Sequence, residues 1–197
     1  MNIAIGILIA VVLTGELSFA LAQQPSAKRV GDANLALNAI FPGENLLTQY
    51  TPPSPEWQAM EKKEDGLYRM IWVRNNEFYA VSVMRAIGGS LAELREITDK
   101  PGRSSCETFG SLMRSKTVAP YPSITWLTDC KRGGRSSAQM LTRAIRGVDS
   151  YYLIQRSWRG AVVEEELRLW EDRIMDISVC DTRKADADCP PSVRRVN

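Results

Sequence analysis

PYPSITWLTDCKRGGRSSAQMLTRAIRGVDSYYLIQRSWRGAVVEEELRLWEDRIMDISVC, residues 120–180, is the stretch whose reading decides the fold. Tyr121–Cys130, Ala138–Arg146 and Ser150–Trp158 each have the length and the β-branched and aromatic content of a strand. The connections Lys131-Arg132-Gly133-Gly134-Arg135 and Gly147-Val148-Asp149 are short and contain glycine, so the three strands are expected to run antiparallel as a meander. The middle segment could also be read as helical, but strand is the favoured reading. Val163, Leu167, Trp170 and Ile174 then recur at helical spacing, the apolar stripe of one amphipathic helix. Glu164, Glu165 and Glu166 fall in its first turn and Arg173 in its last, as the helix dipole favours. Those carboxylates are therefore expected to start a helix rather than to catalyse. Asp176–Arg183 reads as a last strand, with Cys180 on it.

Upstream, Leu67–Arg74 and Glu77–Ile87 form a hairpin turning at Asn75-Asn76, residues that tolerate positive φ. Both strands are apolar on two faces, which places them inside the sheet with cover on each side. Ser90 and Glu93 make a capping box that opens a helix over Leu91–Asp99. After Lys100-Pro101-Gly102, the helical spacing of Cys106, Phe109 and Met113 predicts a second short helix over Ser105–Ser115. Ser54 followed by Pro55 predicts a capped helix from Pro55 to about Lys63. A first short strand is expected within Asn45–Tyr50. The fold class is thus α+β, a mainly antiparallel sheet of hairpin plus meander with amphipathic helices packed on it and two disulfides.

The chain has 197 residues, 44% hydrophobic and 24% charged, the composition of an ordinary globular protein. Ile3–Leu13 is an apolar run too short to span a bilayer as a helix, and Ala20-Leu21-Ala22 has the small-residue spacing of a signal-peptidase site. Residues 1–22 are read as a signal peptide, with an uncleaved anchor as the alternative. Residues 23–44 are read as a flexible lead-in, 45–191 as a single domain and 192–197 as a loose basic tail. No later stretch is long and apolar enough to span a membrane. The expected location is periplasmic or secreted.

In an exported chain four cysteines, Cys106, Cys130, Cys180 and Cys189, are read as two disulfides, and Cys106–Cys130 with Cys180–Cys189 is the favoured pairing because each joins sequence neighbours. No Cys-x-x-Cys occurs and there is no histidine at all, so redox and zinc sites have no support. The missing histidine also removes Ser-His and Cys-His nucleophiles and the commonest general base. Asp181, Asp186 and Asp188 lack the spacing of a calcium loop. No metal or cofactor is expected. Lys and Arg number 25 against 23 Asp and Glu, too small a surplus for a phosphate-driven nucleic-acid binder.

Two features remain as candidates for binding a partner. One is the basic group Lys131, Arg132 and Arg135 at a hairpin tip, with Arg156 and Arg159 farther along the sheet. The other is the tryptophan supply, of which Trp57, Trp72 and Trp158 are the candidate contacts, since tryptophan joins a large apolar area to a donor N–H. The functional expectation is a non-catalytic exported protein that binds another envelope protein or component. A domain binding a small molecule or lipid is the alternative, and a carboxylate-dependent hydrolase is a third reading.

Overall fold

The computed structural model describes residues 43–47, 52, 54–64, 66–85, 88–118, 120–181 and 183. The signal-peptide segment, residues 23–42 of the lead-in, Asp186, Asp188, Cys189 and the tail lie outside them. Nine strands and two helices follow in order among the described residues: β1 (Glu44–Leu47), β2 (Gln58–Glu64), β3 (Leu67–Arg74), β4 (Glu77–Arg85), α1 (Leu91–Ser105), β5 (Thr108–Thr117), β6 (Ser123–Arg132), β7 (Arg135–Arg146), β8 (Ser150–Arg159), α2 (Glu164–Met175) and β9 (Ser178–Asp181). Seven of the strands make one antiparallel sheet in the order β2-β3-β4-β8-β7-β6-β5, and β1 pairs with β9 in a separate ribbon. The fold is α+β.

The hairpin and the meander stand where the sequence puts them. Asn75 and Asn76 both have positive φ, 50° and 63°, the backbone that a two-residue hairpin needs. Pairing of β4 with β8 joins hairpin to meander, with Tyr79 opposite Arg156 and Val83 opposite Tyr152. Alternation then divides the sheet into two faces. On one, Trp72, Tyr79, Val81, Leu141, Ile145, Tyr152, Ile154 and Trp158 meet Leu167, Trp170 and Ile174 of α2. On the other, Met84, Ile124, Trp126, Ala144 and Leu153 meet Leu94 of α1.

Each helix is also held by a buried polar group. Arg143 of β7 donates through its Nη1 to the carbonyls of Ile174, Met175 and Ile177 at 2.7–2.8 Å, satisfying the open end of α2. Asp99 of α1 accepts from Trp126 Nε1 at 2.9 Å and from Ser111 Oγ at 2.7 Å, which fixes α1 across β5 and β6. The capping box forms as read: Glu93 N–H donates to Ser90 Oγ and Ser90 N–H to the Glu93 carboxylate, at 3.1 and 2.6 Å. Val163 stands at the N-cap of α2 and is 66% exposed, so the buried stripe begins at Leu167.

Two expected helices are strands. Pro55–Lys63 is not helical: Ser54 to Glu56 make a turn, and β2 alternates buried Ala59 with exposed Gln58 and Met60. Pairing with β3 through the turn at Gly66 overrides the Ser-Pro start signal. Ser105–Ser115 is not helical either. The first helix runs on through Pro101 and Gly102 to Ser105, six residues past the expected end, and β5 follows at once. Phe109 and Met113, four apart, share a helix face, yet with Ser111 between them they also alternate along one face of a strand, and β6 supplies the partner. The last correction concerns the disulfides. The described residues contain one, Cys106–Cys130. Cys180 is also disulfide-bonded, but Cys189, its expected partner, lies outside the described residues.

Candidate functional site

The basic tip is the turn between β6 and β7. Gly133 and Gly134 both have positive φ, 56° and 73°, which allows a two-residue reversal with Lys131, Arg132 and Arg135 exposed around it. The root of the tip is fixed from three sides. The Cys106–Cys130 disulfide ties the residue after α1 to β6. Glu107 accepts from the Gly133 N–H at 2.6 Å, and Arg132 Nη2 donates to the Ser105 carbonyl at 3.4 Å. Lys131 lies 3.8 Å from Asp129, whose other oxygen accepts from Ser136 Oγ at 2.6 Å. Arg159, opposite Ala138, is exposed near the same end of the sheet.

Arg156 does not join this group. It points to the other candidate set, the tryptophans, and both are inside. Trp57, Trp72 and Trp158 are 2%, 0% and 3% exposed and Arg156 is 0%. Tyr79 stacks on Trp72 with centroids 5.4 Å apart and leans on Trp170 at 5.1 Å, while Trp57 meets Trp170 edge-on at 6.1 Å. The Arg156 guanidinium carbon sits 4.6 Å from the Trp158 centroid and 5.1 Å from those of Trp57 and Trp170. Glu77 and Glu166 face it at 2.6 and 3.3 Å. Burial pushes the guanidinium pKa down and these carboxylates push it back. Glu166 also accepts from Trp158 Nε1 at 2.8 Å, and Glu164 meets Arg168 at 3.1 Å, so two of the three helix-starting glutamates are spent on local partners. This is an arginine enclosed by indoles, joining β2, β8 and α2 in the interior.

A third feature was hidden by the expected helix at Ser105–Ser115. As a strand, β5 has β6 on one side and no strand on the other. Leu112 and Met113 point to opposite faces and are 60% and 41% exposed. Gly110 lies between them and the tip. The ladder shifts between Met113 and Ser115, leaving Thr108–Met113 as a regular run. The signal in the sequence was the alternation of Phe109, Ser111 and Met113, which competes with the helical spacing of the same residues.

No protein-family model matches the chain, and no curated protein does. Among solved structures the chain is similar to LpqN, involved in cell envelope biogenesis of Mycobacterium tuberculosis, at 11% identity over 79% of this chain and 99% of that one, with a TM-score of 0.36. A likeness of that size carries no argument about function.

Chemically, the exposed surface of the tip offers ammonium and guanidinium groups on a root held by a covalent bond, which suits an acidic partner. No helix among the described residues is long and apolar enough to cross a membrane.

Proposed function

We propose that this protein is a non-catalytic exported protein that binds another component of the cell envelope through Lys131, Arg132 and Arg135. The observation that carries the reading is the exposed basic turn on a root clamped by Cys106–Cys130, Glu107 and the Ser105 carbonyl. A stiff loop loses little conformational entropy when it binds, so its charges turn more fully into affinity than they would on a mobile loop. Export is supported by the disulfide, which persists in oxidising compartments, and by the leader read from the sequence.

The test is affinity capture from envelope extract with the purified domain and with a variant carrying Lys131→Ala, Arg132→Ala and Arg135→Ala. Capture of a specific component by the wild type, weakened in the variant and by raised salt, is expected. All three positions are exposed, so the melting temperature should not move. No specific capture, or equal capture by both proteins, would sink the proposal.

A further inference from the structure

We infer that the free edge of β5 over Thr108–Met113 accepts an extended segment of a partner as an eighth strand, and that this segment is apolar near its centre and acidic towards its ends. The inference rests on the envelope-binding reading and names the partner's local chemistry. In an antiparallel strand every second residue turns its N–H and C=O away from the neighbour, so an edge is a template for one more strand. The two edges of this sheet differ in how they are guarded. β2 carries Glu61, Lys62, Lys63 and Glu64 in succession, the mixed charge that discourages pairing. Thr108–Met113 carries no charge at all.

Three observations say what would lie there. Gly110 is exposed in the middle of the run, and a Cβ built on it would touch only Asp129, at 3.9 Å, so another backbone can come close. Leu112 and Met113 flank the edge on its two faces, giving apolar contact to side chains of an added strand on either side. Cations stand at both ends: Lys131, opposite Thr108, with Arg132 and Arg135 at the tip, and Arg114 and Lys116 past the shift. Arg114 is bound to Glu171 at 2.5 Å, which leaves Lys116 and the tip to set the sign. β5 has two cations and no carboxylate, so a second copy paired through the same strand would bring like charges together. Charge complementarity therefore selects an acidic segment over self-pairing.

Two capped ten-residue peptides test this, each alternating valine and threonine in its centre, one ending in glutamate pairs and the other in lysine pairs. Amide hydrogen exchange of the whole protein is followed residue by residue. The acidic peptide is expected to slow exchange within Thr108–Met113 and to bind about tenfold more tightly than the basic one, with the preference shrinking as salt is added. Leu112→Glu, at an exposed position, should abolish the protection while the melting temperature stays put. Protection elsewhere, equal binding of both peptides, or none would overturn the inference. So would a wild-type dimer that Leu112→Glu dissociates, because the occupant would then be a second copy. If extract capture depends on the tip cations but is untouched by Leu112→Glu, this inference fails and the envelope-binding reading stands; if nothing is captured, that reading fails.

Discussion

At the scale of single residues, Arg156 is the position on which most of the interior depends. It is a charge with no access to water, balanced by Glu77 and Glu166 and faced by three indoles. Removing one partner of a buried pair leaves the other uncompensated, so Arg156→Ala should cost about 3 to 5 kcal/mol in urea unfolding. Arg156→Lys should recover less than half of that, since an ammonium cannot lie flat among the rings. A lysine variant as stable as the wild type would show that charge alone matters. Tyrosines set a second dependence, on pH. Burial and the neighbouring Glu61 push the Tyr68 hydroxyl up to about 12, and burial raises that of Tyr152 as well. The folded pKa lies above the unfolded value of 10.0, so the unfolded chain releases these protons first. Their stabilisation is complete below about pH 10 and is lost as pH rises towards about 12. Alkaline unfolding followed by near-ultraviolet tyrosinate absorbance should show ionisation and unfolding together; ionisation of every tyrosine ahead of unfolding would refute it. Neither role was legible beforehand. Residue type marks tryptophan as able to sit in a core or an interface, and only the pairing of β8 with β4 and β7 turns Arg156 inward.

Among the elements, the central ones were legible and the edges were not. β3, β4, β6, β7 and β8 announce themselves by residue type and by the glycine and asparagine turns between them, and α2 by its stripe. β2 and β5 contain polar residues at most positions, and their strand character comes from the neighbour each pairs with. The first helix shows the same override. Pro101 lacks the N–H that an interior helix position uses, yet the helix continues, held by its capping box and by the Asp99 bonds under it. Gly102 has a different reason to be there: a Cβ at that position would overlap the Phe109 ring. In most helices Gly→Ala stabilises by about 1 kcal/mol. Here Gly102→Ala should instead destabilise by about 1 to 3 kcal/mol, because the aromatic ring must move. Thermal unfolding decides between the signs, and a variant more stable than the wild type would show that the ring yields freely.

For the molecule as a whole, the sequence led to the fold class and the tip but not to the order of the sheet. Strand order depends on where distant segments meet, and no local pattern records that β4 lies against β8. That seam has a kinetic consequence. Strands β2 to β4 form one local meander and β5 to β8 another, each closed by short turns. The seam between them joins residues as distant as Phe78 and Ser157, 79 positions apart, through a hydrogen bond of 3.1 Å. Bringing them together costs loop-closure entropy before any contact rewards it, so the seam should govern the folding rate. Ile154, fully buried on the seam opposite Val81, is a suitable probe. Ile154→Val should lower stability by about 0.5 to 1.5 kcal/mol, with more than about half of the loss appearing as slower folding. Ile124→Val, inside the second meander, should chiefly speed unfolding instead. Stopped-flow chevrons separate the two, and an Ile154→Val protein that folds at the wild-type rate would place the barrier elsewhere. Until that seam closes, β4 and β8 are themselves open edges, so the chain's exposure to misassociation ends with one docking step.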